Sequence, residues 1–224
     1  MSNIIKYIHN SKKGLEREKN QDRILMMEQD NFYLFAIFDG VSSLPYSYLF
    51  ANTFIRKVRS KIGMIDQKGN NLDRLFYEVN EDVIKLNIDG KTTVSVLFYS
   101  KVHDIVKYIN IGDTRIYVFT NQFLEKITVD DSLIGRENVI TRCLGSNSLN
   151  IEDFKTNSVE NYYNYLICTD GFYKLMEENL KEYFNTFNFK NVTNIKKKIC
   201  SLQRGKNQDD STYILLKNEI SSRD

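Results

Sequence analysis

Phe32-Tyr33-Leu34-Phe35-Ala36-Ile37-Phe38-Asp39-Gly40 is the stretch that decides the fold. An unbroken apolar and aromatic run that stops on Asp-Gly reads as a β-strand entering a core and leaving it through a turn. Ile24 to Met27 is a shorter run of the same kind, and Glu28 to Asn31 between them supplies polar turn residues, so the two form a hairpin. After Pro45 the pattern changes period. Phe50, Phe54, Val58 and Ile62 recur every four residues, and Pro45 behind Ser42-Ser43 is placed as a first-turn proline with a serine cap. Leu72, Leu75, Phe76, Val79, Val83 and Leu86 make a second amphipathic helix beyond the turn at Gly69-Asn70-Asn71.

Three β-rich runs follow, Thr92 to Tyr99, Ile105 to Ile111 and Thr114 to Phe119, joined by Ser100 to Asp104 and by Gly112-Asp113; they predict an antiparallel meander. Tyr163 to Thr169 is a further strand ending at Asp170-Gly171, Val192, Ile195, Ile199 and Leu202 mark a helix, and Thr212 to Leu216 is a last strand after a polar loop. Strands cluster and helices come in pairs, without strand-helix-strand alternation. The expected class is therefore α+β: two antiparallel sheets packed as a sandwich and flanked by antiparallel helix pairs.

With 224 residues, 42% of them hydrophobic, the chain needs only one domain, taken as 1–224. Thirty-one basic residues against 29 acidic ones leave a net charge of +2, which gives no field for nucleic acid or for an anionic membrane. Cys143, Cys168 and Cys200 are odd in number and lack C-x-x-C spacing, which fits a reducing cytoplasm better than a disulfide-built exterior and argues against thiolate-held metal. Lys6, His9 and Asn10 interrupt the first apolar stretch, and no run of about 18 apolar residues occurs, so neither an export signal nor a membrane span is expected.

Asp22, Asp39, Asp113, Asp170 and Asp209 each fall at an expected strand end or turn, and Asp39, Asp113 and Asp170 adjoin a glycine. A lone Asp-Gly is mainly a turn signature. Carboxylates converging on the rim of rigid sheets, however, are the donor set that hard cations such as Mg²⁺ and Mn²⁺ prefer.

The full ordered set of short motifs resembles the metal-dependent protein phosphatases of type 2C (PPM), in a compact bacterial form. It comprises Gly14-x-x-Arg17-x-x-Asn20-Gln21-Asp22, Phe38-Asp39-Gly40, Thr92-Thr93, Ile111-Gly112-Asp113-Thr114-Arg115, Asp130-Asp131-Ser132, Thr141-Arg142-Cys143-Leu144-Gly145, Cys168-Thr169-Asp170-Gly171 and Asp209-Asp210-Ser211-Thr212. Each motif is weak alone, but the order and spacing span Gly14 to Leu216. The resemblance implies hydrolysis of phosphoserine and phosphothreonine in proteins by a water that bridges two Mn²⁺ or Mg²⁺ ions, opposing a Ser/Thr kinase, by a monomer. It assigns Asp39 as the bridging ligand with the Gly40 carbonyl beside it, Asp170 and Asp209 to the first ion, and Asp22 to the second, directly or through water. Asp113 would join Asp170 at a weaker third site, and Arg17 would hold the substrate phosphate, as its planar charged fork suits.

The chain departs from the family in places. Val41-Ser42-Ser43 supplies no histidine after the first Asp-Gly, Gln21 stands where many members have Glu, and Lys91 precedes Thr92-Thr93 where a glycine is usual. Lys91 is read as a solvated lysine at a strand start in preference to a second phosphate-facing cation. Gly135-Arg136 and Asn147 to Asn157 fall where the family carries its flap and substrate-shaping segments, and Asp130-Asp131-Ser132 is expected to cap a short helix ahead of Leu133-Ile134. The departures motivate one alternative, a catalytically silent phosphoprotein-binding or regulatory module; the intact aspartates weigh against it. A two-metal nuclease is the other, and the near-neutral charge weighs against that.

Overall fold

In a computed structural model that describes residues 5–133, 135–161 and 163–218, with the side chains of 137 and 138 left out, the strand at Phe32–Gly40 (β3) is covered on both faces. Leu34, Ala36 and Phe38 point to one layer, whereas Tyr33, Phe35 and Ile37 point to another. This alternation within an all-apolar run is what a strand at the centre of four layers requires.

Two five-stranded antiparallel sheets make the inner layers. The first has Ile5–Lys12 (β1), Ser211–Asn218 (β12), Asn164–Cys168 (β11), Arg115–Phe119 (β6) and Leu124–Lys126 (β7) side by side in that order. The second runs Asn157–Val159 (β10), Val106–Ile111 (β5), Thr92–Ser100 (β4), β3 and Arg23–Glu28 (β2). Between the sheets Ile5, Phe35, Ile37, Leu97, Tyr99, Ile116, Val118, Tyr165, Ile167, Ile214 and Leu216 pack into one apolar seam. Outside the second sheet lie Ser47–Ser60 (α1) and Leu72–Ile84 (α2), whose Phe50, Phe54, Leu75, Phe76 and Val79 bury against it. Outside the first lie Asp170–Glu178 (α3), Leu180–Phe187 (α4) and Val192–Leu202 (α5), through Phe172, Met176, Tyr183, Phe187, Ile195 and Ile199. The α+β sandwich stands as expected from sequence.

Four local expectations are corrected. The three runs from Thr92 to Phe119 are not one meander: β4 and β5 form a hairpin, but the chain then crosses at Gly112-Asp113 into the other sheet, where β6 pairs with β11. α1 begins at Ser47 after Tyr46, not at Pro45, and no side chain caps it; the Ser47 hydroxyl instead donates to the Val41 carbonyl at 2.8 Å. Asp130-Asp131-Ser132 does not start a helix. Ser132–Leu133 (β8) pairs with Arg136–Ile140 (β9) in a small separate hairpin, and the buried Asp131 carboxylate accepts from the Gly112 amide at 2.9 Å and from Arg142; Ile134 lies outside the described residues. Finally, Asp170-Gly171 opens a helix where a turn was expected.

The crossing is sterically exacting. Gly112 has φ +100°, and a methyl group there would overlap the Thr93 side chain, whose hydroxyl shares a hydrogen bond with that of Thr114. Gly135 also has a positive φ, +78°, but faces open space. Gly112→Ala is therefore expected to lower stability by about 1–3 kcal/mol more than Gly135→Ala, since both carry backbone strain and only the first adds a clash. Urea unfolding of the two variants beside the parent measures the difference.

Candidate metal centre

The strand ends on one rim of the sandwich bring the five aspartates together. Asp39 is the penultimate residue of β3, Asp22 immediately precedes β2, Asp113 sits in the crossing between sheets, Asp170 opens α3 and Asp209 lies in the loop before β12. Asp22 is the deepest: it is 2% exposed, one carboxylate oxygen accepts from the Thr169 hydroxyl at 3.2 Å, and the other has no hydrogen-bond partner.

The electrostatics of this cluster are unfavourable as it stands. Burial, only partly relieved by the hydroxyls of Thr212 and Thr169, pushes the Asp22 carboxyl up to about 8, with the charges of Asp210 and Asp170 adding to the effect. Asp39 is driven well above the ordinary carboxylate range by removal from water, and the charges acting on it next are all carboxylates: Asp22, Asp170, Asp113 and Asp209. Burial and then Asp170 raise Asp113 to about 7. One pKa unit is worth about 1.4 kcal/mol. A surface ion pair returns about 0.2–1 kcal/mol, so internal pairing of the rim cannot offset the burial of these acids.

Two cations of the chain answer part of the charge. Arg17 grips Asp209 with two parallel bonds, Nε to Oδ1 at 2.6 Å and Nη2 to Oδ2 at 2.5 Å. Burial alone would raise Asp209; the Arg17 bond and the Asp210 amide outweigh it and hold the carboxyl below its usual value. Lys174 Nζ stands 2.6 Å from Asp170 Oδ2. In this conformation no three acidic, histidine or cysteine side chains among the described residues are grouped tightly enough to hold one ion. Asp209 is turned to Arg17 through both oxygens and Asp170 to Lys174 through one. The donor chemistry nevertheless fits a hard divalent cation: all oxygen, no sulfur or imidazole, with a buried Asp22 oxygen lacking any partner.

The backbone around the rim is pinned by other polar groups. Asp210, also buried, accepts from the amides of Gly14 at 2.9 Å and Gln21 at 2.7 Å, which ties the loop carrying Arg17 and Asp22 to the loop carrying Asp209. Gly40 ends β3 so close to Gln21 that a Cβ would stand 2.7 Å from the Gln21 Cβ.

No protein-family model matches the sequence, and no match is found among curated proteins. Solved structures do match. The serine/threonine phosphatase Stp1 from Staphylococcus aureus superposes with a TM-score of 0.79 at 19% identity, over 96% of this chain and 96% of that one. The catalytic domain of the serine/threonine phosphatase PstP, in complex with two manganese ions, gives 0.76 at 19% identity, over 97% and 99%. The PPM Ser-Thr phosphatase MsPP from Mycobacterium smegmatis gives 0.74 at 17% identity, over 94% and 97%. This chain has the PPM phosphatase fold.

On the PPM fold the positions singled out in sequence, Arg17, Asp22, Asp39, Gly40, Asp113, Asp170 and Asp209, fall on one rim. Gln21 has a job the sequence did not reveal: its side chain accepts from the Tyr48 amide at 2.9 Å and donates to the Leu44 carbonyl at 3.2 Å, fixing the start of α1 beside the rim. Asn147 to Asn157 is pinned as well, by a 3₁₀ turn at Ile151–Phe154 with an Asn150 capping box and a fully buried Phe154 against Tyr77. Lys174 was missed. Its signal was its spacing, four residues after Asp170, which becomes informative only once the helix there is recognised.

The raised carboxyls fix the sign of a pH effect. A native-state Asp22 at about 8 and Asp113 at about 7, against an unperturbed value of 3.8, bind protons that the unfolded chain has released. Their stability is complete below about pH 4 and is lost as pH rises through 7 to 8. The depressed Asp209 acts oppositely, losing its contribution only as pH falls below its usual range. The metal-free protein should therefore melt at a lower temperature at pH 8 than at pH 5.5. Mn²⁺ should restore the melting temperature at pH 8, and Asp22→Asn should flatten the profile; thermal melts across that range test both.

Proposed function

We propose that the protein is a metal-dependent phosphoprotein phosphatase that hydrolyses phosphoserine and phosphothreonine. The observation that carries this reading is the rim of converging carboxylates, with a buried, unpartnered Asp22 oxygen and the leading charges on Asp39 all carboxylates, on a sandwich shared with serine/threonine phosphatases. Asp22, Asp39, Asp170 and Asp209 would hold two Mn²⁺ or Mg²⁺ ions, with the Gly40 carbonyl beside the second. Bound there, the ions would supply a nucleophilic water at neutral pH and offset charge on the phosphoryl oxygens.

The chain's own residues have distinct tasks. Asp22 and Asp39, mutually repelling and both raised above the ordinary carboxylate range, are preorganised for cations and gain most from them. Arg17 is about one-third exposed in its pair with Asp209, so releasing it costs little. Once Asp209 turns to a cation, the guanidinium fork is free for two phosphate oxygens. Val41-Ser42-Ser43 supplies no imidazole next to Asp39; of the two histidines, His9 lies in β1 and His103 in the β4–β5 turn. Cys168 is fully buried with its thiol raised well above its usual value by burial, which supports no nucleophilic part for it.

The reading extends to a single domain over 1–224, a cytoplasmic monomer, and a phosphoprotein substrate set against a Ser/Thr kinase. Among the described residues no helix is long and apolar enough to cross a membrane, and the apolar seam between the sheets joins both halves of the chain.

Hydrolysis of p-nitrophenyl phosphate and of a phosphothreonine peptide with Mn²⁺, Mg²⁺ or EDTA tests the proposal. Turnover should require a divalent ion, and Asp39→Asn should reduce it by more than about 100-fold, because even outer partners of a metal ligand are worth about 10–100-fold. Arg17→Ala should raise KM by roughly 10–100-fold, as expected for losing charge-assisted hydrogen bonds, with Mn²⁺ binding retained. Manganese bound without turnover in the parent would turn the assignment to the silent phosphoprotein-binding module.

A further inference from the structure

Lys174 occupies a position of consequence on the rim. It follows Asp170 by one helical turn on α3, and its ammonium bonds the Asp170 carboxylate at 2.6 Å. Asp170 and Asp113 are the two residues that would share a third, outer ion. Burial opposes the Lys174 charge, but the Asp170 bond and then the fields of Asp170, Asp113 and Asp209 outweigh it and raise the ammonium above its usual value. Lys174 in turn is a cation that lowers Asp113 against the effects of burial and Asp170.

We infer that Lys174 takes the place of the outer ion, so that this chain binds two divalent cations where its carboxylates would otherwise admit three. The inference rests on the phosphatase reading of the site. Charge balance over the five candidate ligands supports it: Asp22, Asp39, Asp113, Asp170 and Asp209 carry five negative charges when ionised, and two divalent ions with one ammonium match them, while the sixth carboxylate, Asp210, is held by the Gly14 and Gln21 amides and Arg17 is left for a phosphate. A third ion would have to displace a tethered cation whose local concentration is far above that of a free metal ion. Lys174 is thus a positioning residue. It holds Asp170 through Oδ2 and leaves Oδ1 for an inner ion. Arg17 differs because it takes both oxygens of Asp209 and must let go when the inner ions bind, whereas Lys174 takes only one oxygen of Asp170.

The test counts ions in the full-length protein without substrate, using MnCl₂, by calorimetric titration and by the electron paramagnetic resonance of free Mn²⁺. Two ions are expected for the parent and for Lys174→Arg, and three for Lys174→Met, with the third lost again when Asp113→Asn is added. The Lys174 side chain is 60% exposed, so truncation is compatible with folding, and Lys174→Gln provides a second neutral variant. Three ions in the parent, or two in both neutral variants, would overturn the inference. Failure of the phosphatase reading shows separately, as absence of Mn²⁺-dependent hydrolysis in the parent whatever the ion count. A parent that binds no manganese removes both.

Discussion

Burial of both faces of the central strands is the constraint from which the rest follows. A strand pressed between a helix layer and a second sheet can carry charge only near its ends and polar groups only where they are paired, as Ser95 is by Asn110 and the Thr114 carbonyl, because an unpaired polar side chain within it would lose its hydration without compensation. β3, β4, β11 and β12 obey this, being buried almost throughout. All charge is thereby expelled to the rims. On one rim the expelled groups are aspartates from five separate segments, and the rigidity of the sandwich prevents them from relaxing apart.

That rim is an electrostatic conflict held in place by neutral geometry. The Asp210 bonds to Gly14 and Gln21, the close approach of Gly40 to Gln21 and the crossing at Gly112 fix the backbone without lending positive charge. Arg17 and Lys174 each pair with one aspartate of the cluster. A second network lies next to it: Arg115 stacks 3.5 Å over the Tyr173 ring and bonds Asp130 and Glu177, linking the segment ahead of the β8–β9 hairpin to α3. The helix that carries Asp170 is therefore braced through Tyr173 and Glu177 as well.

Much of this was legible in the sequence because the signals were local. The apolar run of β3, the four-residue repeat of α1 and the Asp-Gly strand ends each report a nearest-neighbour preference, and the ordered motifs placed the five aspartates before any coordinates did. What failed depended on distant partners. Gly112-Asp113 has the composition of a hairpin turn, and only the packing of β6 against β11 makes it a crossing between sheets. Asp131 and Ser132 look like a helix cap, yet the Gly112 amide and Arg142 take the carboxylate instead. Asp170-Gly171 reads as a turn because glycine disfavours helix, whereas burial of Phe172, Tyr173 and Met176 overrides that preference.

The pairing of β1 with β12 joins residues about two hundred positions apart, and β12 also lies between β1 and β11. The first sheet therefore lacks an interior strand until Ser211–Asn218 has left the ribosome. Asp209, just ahead of that strand, joins the rim only then. During synthesis the nascent chain carries most of these acids but not their common enclosure until that strand inserts. High contact order of this kind slows folding, and here it also sets the moment at which the acidic rim is assembled.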